Sequence, residues 1–352
     1  MNTLRERLCR QLRQRCRSEA EIFSRERHEV ACRNIMPEIR KLDKEAQFST
    51  MTNWKFMCPA CRAAELDLLR SDTVCSDCGF RSTLAAGVWP LMTDGDRARY
   101  ESFVDTYTSV RIKEGRDQYD QAVLRSLPEC DAALPMAKQW RIRARSFRVL
   151  RKTLRDRLQP KAKIADLGAG TGWLSNRLRE SGYSPCSIDV SADLTDGLGA
   201  ARQFTGVWPR LQATFDNLPL ADGSIDAVIF NASFHYCTNP AATIEESSRV
   251  LRPGGLLIIL DSPIYEDASS GEKMLEEQQE YFTRLIGTRS EAIQSAGFLT
   301  WSGLDALAGQ FGLEWNCRFP WYGMRWALRP LYAKLTGGRE PATFAIVLTT
   351  TT

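Results

Sequence analysis

Short apolar segments alternate with amphipathic segments from residue 163 to the end of the chain. The apolar segments have the length of buried β-strands, and the segments between them have the period of helices. Such alternation predicts an α/β fold with a doubly wound, mostly parallel sheet of seven strands. We predict strands at 163–167, 185–189, 209–213, 225–230, 255–261, 313–319 and 342–349, and helices at 172–181, 192–202, 240–251, 271–286, 303–311 and 322–335.

The first 158 residues have a different pattern, which divides into three segments. Residues 1–50 are predicted to form a charged helical arm, residues 54–92 hold closely spaced cysteines, and residues 93–158 form a helical linker or cap. Within the cap, residues 137–158 predict one helix with an apolar face and a basic face. The expected α/β domain then occupies residues 159–352.

The charge distribution limits the classes of partner. The arm carries 12 Lys and Arg against 8 Asp and Glu, which accounts for the whole net charge of +4. This argues against a broadly basic nucleic-acid-binding protein. The stretch 137–163, with 11 basic residues and one acid, still leaves an RNA backbone or a phosphate-bearing acceptor open. The sequence contains no transmembrane segment and no apolar secretion signal, and we expect a cytoplasmic protein.

A glycine-rich turn follows the first predicted strand of the α/β domain. Asp166 ends the strand, and Gly168, Gly170 and Gly172 follow at alternate positions. Glycines allow a tight strand-to-helix turn and close approach of a ligand to the backbone. The dinucleotide fingerprint needs glycine at position 173, where this chain has Trp173. An acid beside the turn would repel a pyrophosphate but suits the ammonium group of S-adenosylmethionine (SAM).

A second acid ends the next predicted strand. Asp189 lies 19 residues beyond Gly170, and a carboxylate there can accept hydrogen bonds from both ribose hydroxyls. Taken alone, this acid fits either a dinucleotide or SAM. Together with the turn and Asp166, it favours SAM.

Residues 160–262 resemble the class I SAM-dependent methyltransferases, in the broad branch of methyltransferase-11-like enzymes. The matching stretches are DLGAGTG (166–172), SIDVS (187–191), FDNLPLADGSIDAVIFNASFH (215–235) and RVLRPGGLLIILDSP (249–263). The resemblance implies a Rossmann-like fold and methyl transfer from SAM. It also implies cofactor-binding residues: Asp166, Gly168, Ala169 and Gly170 at the methionine end, Asp189 at the ribose, Thr214, Phe215 and Asp216 around the adenine, and Asn231 near the departing methyl group.

One histidine lies in the predicted active-site region. His235 follows the fourth strand of the α/β domain, and an imidazole there is a candidate general base for an acceptor that must lose a proton. Packing in a loop is the alternative interpretation. Asp261, which ends the fifth strand, is a second candidate, although a structural role in the turn is favoured.

Two C-x-x-C pairs predict a metal site in the segment 54–92. Cys58 and Cys61 form the first pair, and Cys75 and Cys78 form the second. Four thiolates leave no open position, so the expected metal is a structural zinc ion. The stretch 58–92 also resembles the zinc-ribbon domains related to the methyltransferase activator Trm112. A redox-active dithiol is the alternative.

These observations predict a methyltransferase that acts on a small-molecule or lipid-like acceptor. RNA methylation is one alternative, because a ribbon fused to a methyltransferase resembles enzymes that modify ribosomal RNA. The aromatic stretch Arg318–Trp326 is predicted to pack on the sheet, to cover the acceptor or to contact a membrane surface. A second alternative is a non-catalytic scaffold that keeps the fold.

Overall fold

The computed structural model describes residues 51–287 and 295–351. The arm expected at 1–50 lies outside the described residues. Lys55–Thr352 forms one compact unit, which includes the cysteine-bearing segment, the helical cap and the α/β domain. No helix within 51–287 or 295–351 is long and apolar enough to cross a membrane.

The described residues form twelve β-strands and nine α-helices, of which three strands and three helices precede the α/β domain. The strands are β1 (Asp72–Val74), β2 (Arg81–Thr83), β3 (Trp89–Pro90), β4 (Lys163–Leu167), β5 (Ser184–Asp189), β6 (Arg210–Gln212), β7 (Ile225–Asn231), β8 (Leu251–Leu260), β9 (Ile264–Tyr265), β10 (Leu299–Thr300), β11 (Asn316–Arg318) and β12 (Ile346–Thr350). The α-helices are α1 (Asp94–Lys113), α2 (Gln121–Ser126), α3 (Ala137–Arg157), α4 (Trp173–Glu180), α5 (Pro240–Val250), α6 (Ala268–Ile286), α7 (Trp301–Phe311), α8 (Met324–Ala327) and α9 (Arg329–Thr336).

The main sheet has the order β11-β12-β8-β7-β4-β5-β6-β3. The six strands from β8 to β3 are parallel, whereas β12 is antiparallel to β8 and β11 is antiparallel to β12. The central strands are buried on both faces because they are almost wholly apolar. The predicted doubly wound α/β fold is confirmed. Strands β5 and β6 are added on one side of β4, and β7 and β8 are added on the other side. Such a switch point opens a crevice at the carboxyl ends of the strands.

The sheet has eight strands rather than the predicted seven. The additional strand, β3, comes from the cysteine-bearing segment and pairs in parallel with β6, with Trp89 opposite Leu211. Trp89 is 1% exposed. The segment therefore extends the edge of the sheet, which the sequence did not indicate because β3 has only two residues.

The helix predicted at 192–202 is wrong. A 3-10 helix covers Leu198–Gln203 instead. Asp193 accepts hydrogen bonds from the backbone N–H groups of Thr195 and Asp196, so these groups form a turn rather than the start of an α-helix. The helix predicted at 322–335 is divided into α8 and α9.

The long helix α3 packs against the start of α4. Trp140 and Phe147 of α3 both meet the ring of Trp173 edge-on, with ring centroids 5.7 and 5.8 Å away. Leu150 and Leu154 on the same face are fully buried. This apolar face is the one that the sequence predicted, and it packs α3 against the first residues of α4.

Candidate active site and cysteine cluster

The glycine turn lies between β4 and α4, at the switch point of the sheet. Gly168 and Gly170 have φ values of +73° and +51°, which side chains rarely adopt. A Cβ atom at position 168 would lie 2.3 Å from the Cβ atom of Ser233. Ser233 is fixed there because its hydroxyl donates to the Leu167 carbonyl at 2.6 Å. Both the backbone conformation and the close approach of Ser233 therefore require glycine at position 168.

The Asp166 side chain points toward α4. Its carboxylate accepts from the Ser175 backbone N–H at 3.1 Å and from the Ser175 hydroxyl at 2.8 Å. Burial raises the pKa of Asp166 to about 7 even though these hydrogen bonds lower it. The carboxylate thus holds the first turn of α4 in place.

Asp189 lies at the end of β5 and joins two loops of the crevice. Its carboxylate accepts from the Gly170 N–H and from the Ser191 N–H, each at 2.8 Å. Burial raises its pKa to about 6, and these backbone hydrogen bonds oppose the shift. The carboxylate is therefore fixed next to the glycine turn, with its remaining lone pairs available to a ligand.

The predicted adenine region follows β6. Thr214 is buried, and the ring of Phe215 packs edge-on against Phe230 of β7, with centroids 5.4 Å apart. Asp216 receives two hydrogen bonds from the guanidinium group of Arg99 in α1, at 2.8 and 2.9 Å. Burial would raise the pKa of Asp216, but the hydrogen bonds and the positive charge of Arg99 lower it overall. This ion pair was not predicted.

Asn231 ends β7 on the opposite side of the glycine turn from Asp189. Its Oδ1 atom is buried and has no hydrogen-bond partner within the part of the chain that the structure describes. An unpaired buried carbonyl is costly unless a ligand or water donates to it. Asn231 thus retains one acceptor position for a bound molecule.

A cavity of about 990 Å³ opens beside these strand ends. It is bounded by helices α1, α3, α6 and α9 and by the loops after β7 and β8, and several aromatic rings line it. Its polar groups near the sheet include His235, Asp261 and Arg143. The size and mixed lining suit a small organic molecule.

His235 is neutral in this environment. Its Nδ1 atom lies 3.0 Å from the Ser262 hydroxyl. Burial, together with the positive charges of Arg143 and Arg111, lowers the pKa of His235 to about 3. The neutral imidazole can therefore donate or accept a hydrogen bond with a bound molecule. Its protonated form would release the proton readily near neutral pH.

We expect the free energy of unfolding to fall less steeply with decreasing pH in His235→Gln than in the wild type. The folded chain keeps His235 neutral down to about pH 3, whereas the unfolded chain protonates it near 6.5, so the free energy of unfolding falls as pH drops below about 6.5. This one group contributes up to about 1.4 kcal/mol per pH unit. Urea unfolding at several pH values between 7 and 5 measures the slope. Parallel slopes for wild type and variant would contradict the assignment.

Arginine side chains give the cavity a positive wall. Arg111 and Arg116 both pair with Glu114, at 2.7 and 3.1 Å. Among the described residues, by contrast, Arg143 has no hydrogen-bond or ion-pair partner, and its guanidinium carbon lies 4.7 Å from the centre of the Trp140 ring. Burial and the nearby Arg116 lower the pKa of Arg143. Arg143 is therefore a cation of the cavity wall that feels the charge of the Asp261 carboxylate but forms no direct ion pair with it.

Asp261 connects the loop after β8 to α3. Its Oδ1 atom accepts from the Ser146 hydroxyl at 2.5 Å, and this hydroxyl lies 2.8 Å from that of Tyr322. Burial raises the pKa of Asp261. The contact with Ser146 agrees with the structural role that the sequence favoured.

The four cysteines of the C-x-x-C pairs converge. All four Sγ atoms lie within 4.8 Å of one another. The Sγ atoms of Cys58 and Cys78 are 3.5 Å apart, and those of Cys61 and Cys75 are 3.6 Å apart, with no disulfide between them. Four sulfur atoms at this spacing match the edges of a tetrahedral thiolate site, for which zinc is the usual metal.

An arginine connects the cysteine cluster to the crevice. Arg62 follows Cys61 directly and donates to the Asn217 side chain at 3.0 Å and to the Asp216 carbonyl at 3.2 Å. It also forms an ion pair with Glu246 of α5 at 3.2 Å. Glu246 in turn accepts from the Leu218 N–H at 2.7 Å. The loop after β6, which carries the predicted adenine residues, is therefore held by the cysteine-bearing segment.

Comparison with known families confirms the resemblance inferred from the motifs. Residues 165–259 match the family model described as a methyltransferase domain. An uncharacterized methyltransferase of Mycobacterium tuberculosis is 42% identical over 95 residues, which are 27% of this chain and 37% of that protein. The match thus spans little more than a third of that relative.

Two further relatives have more specific names. The malonyl-[acyl-carrier protein] O-methyltransferase of Hahella chejuensis is 38% identical over 98 residues, which cover 27% of this chain and 34% of that protein. The demethylmenaquinone methyltransferase of Mycobacterium bovis is 28% identical over 187 residues, which cover 52% and 73%.

Proposed function

We propose that this protein is a SAM-dependent methyltransferase that acts on a small-molecule or lipid-like acceptor. The observation that carries this proposal is the arrangement at the switch point. The glycine turn, Asp189 and Asn231 lie at the carboxyl ends of three adjacent strands, and a cavity of about 990 Å³, lined by Ala232 and His235 of the loop after β7, lies beside this edge of the sheet. A nucleoside bound at the strand ends would then lie next to an acceptor molecule in the cavity.

The cofactor-binding roles follow the order of the strands. The backbone of Gly168, Ala169 and Gly170 holds the methionine end, and Asp189 accepts the two ribose hydroxyls. Thr214, Phe215 and Asp216 surround the adenine, and Asn231 lies near the methyl group. We assign Asp166 a positioning role, because its carboxylate is bonded to Ser175.

Catalysis by this chain rests on alignment and exclusion of water. Bound SAM supplies an electrophilic methyl group and its own leaving group. The protein orients the acceptor in the cavity, where proximity can supply about 7–11 kcal/mol of the barrier reduction. We propose that Arg143 holds an acidic group of the acceptor, and that His235 orients the acceptor by hydrogen bonding. Two relatives named for a malonyl group and for a quinone support an acceptor of this size and kind.

The cysteine cluster holds a structural zinc ion in this proposal. The four thiol groups fit tetrahedral coordination, and the segment resembles the zinc ribbon of Trm112. Its metal would fix the loop after β6 through Arg62. Free thiols at all described cysteines favour a reducing compartment, and we propose the cytoplasm.

Transfer of labelled methyl groups tests the proposed function. The full chain is incubated with methyl-labelled SAM and with either a lipid and metabolite extract or total RNA. We expect label in the extract at least about tenfold above the level given by Asp189→Ala. Arg143→Gln should lower this transfer, whereas Arg148→Gln, an exposed arginine of the same helix, should not.

Two outcomes would contradict the proposal. Label in RNA alone would favour the alternative of an RNA methyltransferase. No transfer to either pool by a chain that binds neither SAM nor its demethylated product would favour the non-catalytic scaffold.

A further inference from the structure

Apolar side chains are exposed in one stretch beside the cavity. Seven of the twelve large apolar residues that are exposed in the described chain lie within the 17 residues from 319 to 335. We call this stretch the α8–α9 patch. Its exposed members, with the exposed fraction of each, are Phe319 (66%), Trp321 (65%), Met324 (64%), Leu328 (50%), Leu331 (56%), Tyr332 (70%) and Leu335 (77%).

The charge of the α8–α9 patch has one sign. Arg325 and Lys334 are exposed within it, and the sequence from 315 to 339 contains five basic residues and no acid. Apolar side chains mixed with cations are typical of a surface that inserts among lipid headgroups and is attracted by anionic lipids. Burial of the patch inside a protein would not explain its cations. An ordinary solvent-exposed surface would not explain its aromatic rings.

Helix α9 joins the patch to the cavity. Arg329, Tyr332, Ala333 and Thr336 line the cavity, and their spacing puts them on one face of the helix. Leu328, Leu331 and Leu335 lie on another face and are exposed. One short helix therefore separates the cavity from the apolar surface.

We propose that the α8–α9 patch docks on an anionic lipid surface, and that an amphiphilic acceptor enters the cavity alongside α9. The docking stands on the exposed residues alone, whereas the entry of an acceptor rests on the proposed function. Charge complementarity selects this occupant. A second copy of the chain would bring two positive patches together, and the arm, with its surplus of four positive charges, would be repelled in the same way.

Vesicle flotation tests the docking. The full chain is mixed with vesicles of phosphatidylcholine alone or with about 30% phosphatidylglycerol. We expect at least about fivefold more protein to float with the anionic vesicles, and high salt to reduce this difference. The double variant Leu331→Ser/Leu335→Ser should lose most of the binding, and Lys334→Glu should lose the preference for anionic vesicles. Leu69→Ser/Val74→Ser, at two exposed apolar residues of the cysteine-bearing segment, is the matched control.

Several results would overturn the docking proposal. One is equal flotation of wild type and the Leu331/Leu335 variant. Another is a wild-type chain that does not bind vesicles but self-associates in sedimentation velocity, with the self-association lost in this variant. That result would assign the patch to contact with a second copy of the chain. Thermal unfolding of each variant shows that the fold is kept. Flotation needs no SAM, so a chain that floats as expected but does not bind SAM would refute the proposed function and leave the docking intact.

Discussion

Replacing Asp189 by alanine should weaken the binding of SAM by at least about 100-fold. The proposed role gives this carboxylate two charge-assisted hydrogen bonds to the ribose, each worth about 1.5–3 kcal/mol when made by an ionised group. The substitution also removes the bond to the Gly170 N–H, which fixes the glycine turn next to the ribose position. Calorimetric titration with SAM measures the change. Asp189→Asn should retain part of the affinity, since its carbonyl oxygen still accepts.

Asp193→Ala is the matched control for this prediction. Asp193 lies four residues further along the same loop and also accepts backbone hydrogen bonds, from Thr195 and Asp196. Its substitution disturbs the loop without removing the proposed ribose contact, so we expect a change in affinity of less than about tenfold. Equal losses for the two alanine variants would contradict a direct role of Asp189.

Replacing Cys58 by serine should remove the metal and destabilise the chain by several kcal/mol. Structural zinc contributes about 10–16 kcal/mol of apparent binding free energy in small zinc-binding domains, much of which is folding free energy. The segment from 55 to 92 contains only three strands of two or three residues each, so we expect the metal to supply much of its stability. Metal analysis by mass spectrometry and thermal unfolding measure both effects, and we expect one zinc ion per wild-type chain and almost none in the variant.

The same substitution should weaken SAM binding through the loop after β6. Arg62 connects the cluster to Asn217 and Asp216, so loss of the metal frees the residues expected around the adenine. Cys130→Ser, at a half-buried cysteine outside the cluster, is the control and should keep both metal and affinity. The proposed metal site would be refuted if Cys58→Ser contained as much zinc as the wild-type chain.

The parts of the structure that the sequence predicted depend on short-range signals. Strands β7 and β8 contain the uninterrupted apolar runs 227–230 and 256–260, so their burial follows from the local sequence. The glycine turn is similar, because glycine permits the positive φ values of positions 168 and 170 at little steric cost. Each C-x-x-C pair spans only four residues and is visible in the sequence. The approach of the two pairs to each other depends on the fold.

The parts that the sequence did not predict are contacts between distant segments. Arg99 and Asp216 are 117 positions apart, and Arg62 and Asn217 are 155 apart. Nothing in the local pattern distinguishes these arginines from their many neighbours. The direction of the Asp166 side chain was also hidden, although Ser175 in the first turn of the following helix is a signal that could have indicated it. The unpaired state of Arg143 can be recognised only when the whole cavity wall is assembled.

A crystal structure of the full chain with S-adenosylhomocysteine tests the central claim most directly. We predict the nucleoside at the switch point between β4 and β7, with both ribose hydroxyls about 3 Å from the Asp189 carboxylate and the amino-acid part over the backbone of 168–170. Its sulfur atom should face the cavity that contains His235 and Arg143. A nucleoside bound elsewhere, or a crevice that stays closed by the protein's own side chains at saturating ligand, would contradict the account.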